Sequence, residues 1–141
     1  MSINFQTIAV EYPKINKKFI SDWITNTVSE NNKKIKELVI VFCNDDYIID
    51  LNKKYLKHNY FTDIITFNYS EKDFIAGDLV ISVETVESNA KKFKQTFNVE
   101  LHRVIIHGVL HLLGFNDKTA EQKTVMREKE DYYLSKLSSN P

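Results

Sequence analysis

Apolar and polar positions along the chain change spacing in a way that marks out successive strands and helices. Residues 3 to 12 place Ile3, Phe5, Ile8 and Val10 at near-alternating positions, which predicts a first strand, and Pro13 breaks it. From about 14 to 30 the spacing becomes three and four, through Ile15, Phe19, Ile20, Trp23, Ile24 and Val28, so one apolar stripe runs down a helix. Residues 37 to 42 are almost wholly apolar after Glu37, the pattern of a strand covered on both faces. Cys43 ends that strand as a small buried hydrophobe. Asn44, Asp45 and Asp46 then offer capping oxygens and negative charge to a helix reaching about Lys57, with Ile48, Leu51 and Tyr55 on its inner face.

The second half reads the same way. A polar loop, 58 to 63, leads into a strand at 64 to 67, a turn at 73 to 76 and a strand at 77 to 82; the short connection predicts an antiparallel pair. Residues 85 to 95 are polar and lysine-rich, a surface helix. Residues 98 to 113 form the most apolar helix, with Leu101, Ile105 and Leu112 on a buried stripe, and Gly114 suits its left-handed C-terminal cap. A last helix, 119 to 137, has Val125, Met126, Tyr133, Leu134 and Leu137 as its apolar positions. This order predicts one layered α+β domain over residues 1 to 141, with a mixed four-stranded sheet packed against about five helices.

Composition narrows the setting. The 141 residues suffice for one buried core. No apolar run approaches the roughly 18 residues of a membrane span, so a soluble protein is expected. The N-terminus shows no secretory pattern and Cys43 is a lone cysteine, which together suit the cytoplasm. With 19 basic and 19 acidic side chains the net charge is zero, which argues against binding nucleic acid by overall charge. Any RNA contact must then be local. Lysines do cluster at Lys33, Lys34 and Lys36, at Lys53, Lys54 and Lys57, and at Lys91, Lys92 and Lys94.

The candidate chemistry lies in residues 104 to 117. His107 and His111 are four apart on the apolar helix, so their imidazoles project from nearly the same angle and can converge on one cation. Zinc sites take three protein ligands and leave a position for water, and the turn after Gly114 could bring Asp117 back as the third. The same residues also suit two core histidines bonded to backbone, a simple glycine cap, and Asp117 as the N-cap of the last helix; both readings stand on spacing alone. Gly108 occupies the place where a His-Glu-x-x-His peptidase carries its general base, which speaks against peptide hydrolysis. An open metal position remains consistent with phosphodiester hydrolysis.

The run His-Gly-Val-Leu-His-Leu-Leu-Gly-Phe-Asn-Asp at 107 to 117 resembles the signature of the YbeY family, metal-dependent endoribonucleases of ribosomal RNA maturation. Leu51-Asn52-x-x-Tyr55, Thr62-Asp63-Ile64-Ile65-Thr66-Phe67 and Gly77-Asp78-Leu79-Val80-Ile81-Ser82 resemble further segments of that family in the right order, and Glu100, Met126 and Glu130 fall where it has such residues. The resemblance covers about residues 38 to 134. It implies a metzincin-like metal site on the core helix, one zinc per chain held by His107, His111 and Asp117, and cleavage of single-stranded ribosomal RNA through water activated at His107 and His111. It also implies ribosomal proteins or assembly GTPases as partners and no membrane.

Two departures stand out. The family's third histidine is Asp117 here, and the arginine that follows its Leu-Asn-x-x-Tyr tyrosine is Leu56. Lys57 or His58, next along, are candidates to meet RNA in its place. His102 is about 140° around the helix from His107 and is excluded from the site. The rival reading is a non-catalytic ribosome-assembly or RNA-binding factor with a structural metal; a hydrolase for another substrate is weaker.

Overall fold

The computed structural model describes residues 2 to 56 and 62 to 138. The elements follow the expected order: β1 (Ser2–Thr7), α1 (Lys17–Glu30), β2 (Lys34–Cys43), α2 (Asp45–Leu51) continued by a π-helical turn (Asn52–Leu56), β3 (Ile64–Asn68), β4 (Phe74–Ser82), α3 (Val83–Lys92), α4 (Phe97–Leu112) and α5 (Ala120–Ser138). The sheet order is β1-β2-β4-β3. β2 is parallel to both β1 and β4, and β3 is antiparallel to β4, so the sheet is mixed and β3 is an edge strand.

The apolar run of β2 faces two ways, as its sequence requires. Leu38, Ile40 and Phe42 join Ile75, Leu79 and Ile81 of β4 in the main core, under Ile20, Trp23 and Ile24 of α1 and Leu101, Ile105 and Val109 of α4. Val41 and Cys43 turn to the opposite face, where Ile48, Ile65 and Val80 make a smaller cluster. Cys43 is fully buried, and burial above all, with the charges of Asp45 and Glu84, pushes its thiol up to about 12, so it is an inert core residue. α4 is the central helix. Burial of each large aliphatic side chain contributes about 1.5–3 kcal/mol, and Leu101, Ile105, Ile106, Val109 and Leu110 are all fully buried. At Gly108 a Cβ would lie 2.8 Å from Ile64 Cδ1 and from Leu79 Cδ2, so this glycine lets α4 settle closely onto β3 and β4.

Several boundaries differ from the sequence expectation for identifiable reasons. β1 stops at Thr7 because Ala9, at φ 62°, turns the chain out of the ladder. Tyr55 is not on an inner face: it is 54% exposed, its ring edge-on to Phe67 at 5.4 Å, because the π-helical winding takes in an extra residue and rotates it outward. Val125 is 40% exposed although Met126 beside it is buried, since neighbours on a helix point about 100° apart. The hairpin turn lies just before Phe74, with Glu71 and Phe74 bonded across it, so 74 to 76 belong to β4.

Candidate metal centre

α4 carries both histidines and ends where it must for a third group to return. Thr96 caps its start, the hydroxyl accepting from Val99 N at 3.1 Å. At its end Gly114 N donates to His111 O and Phe115 N to Leu110 O, both at 3.0 Å, with Gly114 at φ 105°. This pair of bonds is a Schellman closure, which needs a residue tolerant of positive φ at that position. The chain is thereby turned back over the helix end, and Asp117 arrives beside the histidines.

The three side chains converge. His107 Nε2 and His111 Nε2 are 3.0 Å apart, and Asp117 Oδ2 is 3.2 Å from the first and 3.3 Å from the second. Ligands about 2.0–2.1 Å from a tetrahedral zinc are about 3.3 Å from one another, so this triangle has the size of one face of such a site. Two imidazole nitrogens and a carboxylate oxygen are an ordinary donor set for zinc, and two ring nitrogens facing each other at this distance call for a cation or a proton between them. The residues present fit the metal.

Asp117 is not a helix cap. Thr119 fills that role, its hydroxyl accepting from Gln122 N at 3.0 Å while Gln122 Oε1 accepts from Thr119 N at 3.1 Å and Lys118 N at 3.0 Å. The Asp117 carboxylate is left for the histidines.

Behind the triangle, α5 supplies a carboxylate that sequence spacing did not assign a role. Glu130, 5% exposed, places Oε2 2.7 Å from His107 Nδ1, so that Nδ1 carries the proton and donates, leaving the Nε2 lone pair for the centre. Arg103 holds the other oxygen: Nη1 donates to Glu130 Oε1 at 2.9 Å and Nη2 to Asp131 Oδ1 at 2.7 Å. For His107, burial is the largest influence and disfavours the charged ring, but the bond and charge of Glu130 with the charges of Asp117 and Asp63 outweigh it, and its pKa is raised. Two further acids lie within reach of this field. Burial raises Asp63, opposed by His107 and by the backbone N–H groups of Asp63 and Ile64, with Glu130 adding to the rise. Burial and Asp63 raise Glu100, opposed by Arg103 and Arg127, with Glu130 again adding. The signal for Glu130 and Arg103 in the sequence is faint, because it depends on α5 folding back along α4.

His102 is outside the site, as its helix angle requires, with its ring against Trp23 and Nδ1 on the carbonyl of Asn98. Lys57 and His58 lie outside the described residues.

Comparison with known proteins identifies the family. The family model described as endoribonuclease YbeY matches residues 2–138. An endoribonuclease YbeY of Phocaeicola vulgatus is 47% identical over 136 residues, covering 96% of this chain and 99% of the relative. One from Karelsulcia muelleri is 50% identical over 119 residues, 84% of each chain. A solution structure of a Thermotoga maritima protein superposes with a TM-score of 0.69 at 26% identity, covering 99% of this chain and 94% of that one.

Proposed function

The chain belongs to the YbeY family of endoribonucleases, and from that premise we propose that it hydrolyses phosphodiesters of single-stranded ribosomal RNA at His107, His111 and Asp117, in maturation of the 3′ end of small-subunit ribosomal RNA and in ribosome quality control. The observation that carries this reading is the triangle of ligand atoms with edges of 3.0, 3.2 and 3.3 Å. The metal we assign is zinc, one ion per chain. When bound, it supplies a Lewis acid that polarises a phosphoryl oxygen and brings the pKa of water towards neutrality.

The chain's own residues supply position. Glu130 accepts the Nδ1 proton of His107 and so keeps Nε2 free, and Arg103 fixes the orientation of that carboxylate. The Schellman closure at Gly114 brings Asp117 into line. Gly108 follows His107 where a zinc peptidase has its base, so peptide hydrolysis lacks that proton acceptor. No described helix is long and apolar enough to cross a membrane. We place the protein in the cytoplasm, with ribosomal proteins or assembly GTPases as partners.

Purified protein is expected to hold about one zinc per chain and to cut single-stranded ribosomal RNA, with chelation stopping the cut. His111→Ala should lose both metal and cleavage. Cleavage retained by that variant, once contaminating nuclease is excluded, overturns the assignment. The relatives' endoribonuclease names favour catalysis over a non-catalytic assembly factor, which would co-sediment with ribosomes and never turn over RNA.

A further inference from the structure

We propose that Arg127 is the side chain that holds the RNA phosphate beside the metal centre. The inference rests on the RNA reading above and adds a substrate-binding residue to it. It begins from charge. The carboxylates around the histidines are Asp117, which meets both rings, and Glu130, which meets His107, with Asp63 acting on His107 through its charge and Glu100 on the same helix. A phosphodiester entering this field is an anion approaching anions, and one divalent ion cannot offset all of them. The site needs a side-chain cation.

The chain's two arginines lie on the helices that form it, Arg103 on α4 and Arg127 on α5. Arg103 is committed, since its two Nη atoms are bound to Glu130 and Asp131 and its side chain is only 17% exposed. Arg127 is exposed and forms no ion pair among the described residues, while its charge is felt at Glu100 on α4. Its place follows from α5. Glu130 and Asp131, three and four residues further on, both reach α4, at His107 and at Arg103. Residues three and four apart share a helix face, so Arg127 stands on the α4-facing side, one turn nearer the end of α5 that Asp117 leads into. Lys123, also exposed, lies one further turn along that side. A guanidinium presents a planar fork that matches two phosphate oxygens at once, which an ammonium does not.

The test is steady-state cleavage of a single-stranded RNA oligomer by the zinc-loaded protein over a series of potassium chloride concentrations. Arg127→Gln is expected to lower kcat/KM roughly tenfold, chiefly through KM, and to make its logarithmic salt dependence shallower by about 0.7, the value of one single-strand phosphate contact. Zinc content and melting temperature should stay at wild-type values. Arg127→Lys should recover part of the loss. Lys18→Gln, which removes the same charge from an exposed position on α1, should change neither KM nor the salt slope. Wild-type kinetics in Arg127→Gln, an equal effect from Lys18→Gln, or a loss of zinc in step with activity overturns the proposal. Wild-type protein that fails to cut RNA overturns the functional reading along with it.

Discussion

Glu130 Oε2 lies 2.7 Å from Nδ1 of His107, and this one bond makes the last helix part of the candidate metal centre. Outer carboxylates of this kind fix the tautomer of a ligating histidine and raise its basicity, and their loss typically costs 10- to 100-fold in metal affinity. Glu130→Ala is therefore expected to weaken zinc binding by about that factor, measured by competition with a chromophoric chelator. Glu130→Gln keeps an acceptor for the Nδ1 proton but loses the charge, so it should fall between. Equal affinities in all three proteins would show that the bond does not set the ligand.

The pH dependence of stability should change sign with the metal. His107 binds its proton more tightly in the folded chain than in the unfolded one, so its contribution in the metal-free protein is complete below about pH 6.5 and is lost as pH rises through the raised value. Asp63 and Glu100, raised chiefly by burial, act in the same direction from their own lower range upward. Chelated protein should thus melt at a lower temperature at about pH 8 than at about pH 6. Zinc competes with protons for the histidines, so its stabilisation should grow over the same interval. Thermal melts with and without chelator check both; a melting temperature that rises with pH in the chelated protein contradicts the assignment.

Gly114→Ala isolates the turn. Nothing lies within 4 Å of where its Cβ would be, so the cost is that of forcing φ 105° on a residue with a side chain, about 1 kcal/mol or more. Denaturant titration should show this loss. Zinc affinity should fall with it, because the same turn delivers Asp117.

Asp117 and Thr119 should separate cleanly. Thr119→Ala removes the cap of α5 and is expected to cost about 1 kcal/mol of stability while zinc binding stays close to wild type. Asp117→Ala should do the reverse in the metal-free protein, leaving its stability nearly unchanged and removing most of the affinity for zinc. Loss of stability without loss of affinity in Asp117→Ala would return that residue to a capping role.

Much of this arrangement is legible from residue order because the forces are local. The period of α4, the glycine stop and the four-residue spacing of His107 and His111 are all set within a few turns of chain, and the structure keeps them. Thr119 with Gln122 is equally local, a capping box in which a hydroxyl rather than the nearby carboxylate of Asp117 takes the helix start. Tyr55 illustrates a different failure: its position fits an α-helical stripe, but Asn52–Leu56 winds more widely than the period assumes. Glu130 is marked in the sequence only by the family resemblance, and its bond to His107 and the role of Arg103 are not legible there for a third reason. Nothing in α5 alone says which of its acids will meet α4, since that depends on the angle at which the two helices pack.

The turn at Gly114 also bears on the order in which the protein is assembled. All three candidate ligands fall within residues 107 to 117, so they need only one helix end and its closure to come together, and closing so short a loop costs little chain entropy. Glu130 arrives later from the ribosome, followed by the rest of α5. The candidate ligands are therefore gathered within one short stretch of chain, while the carboxylate that orients His107 is delivered only when the last helix docks.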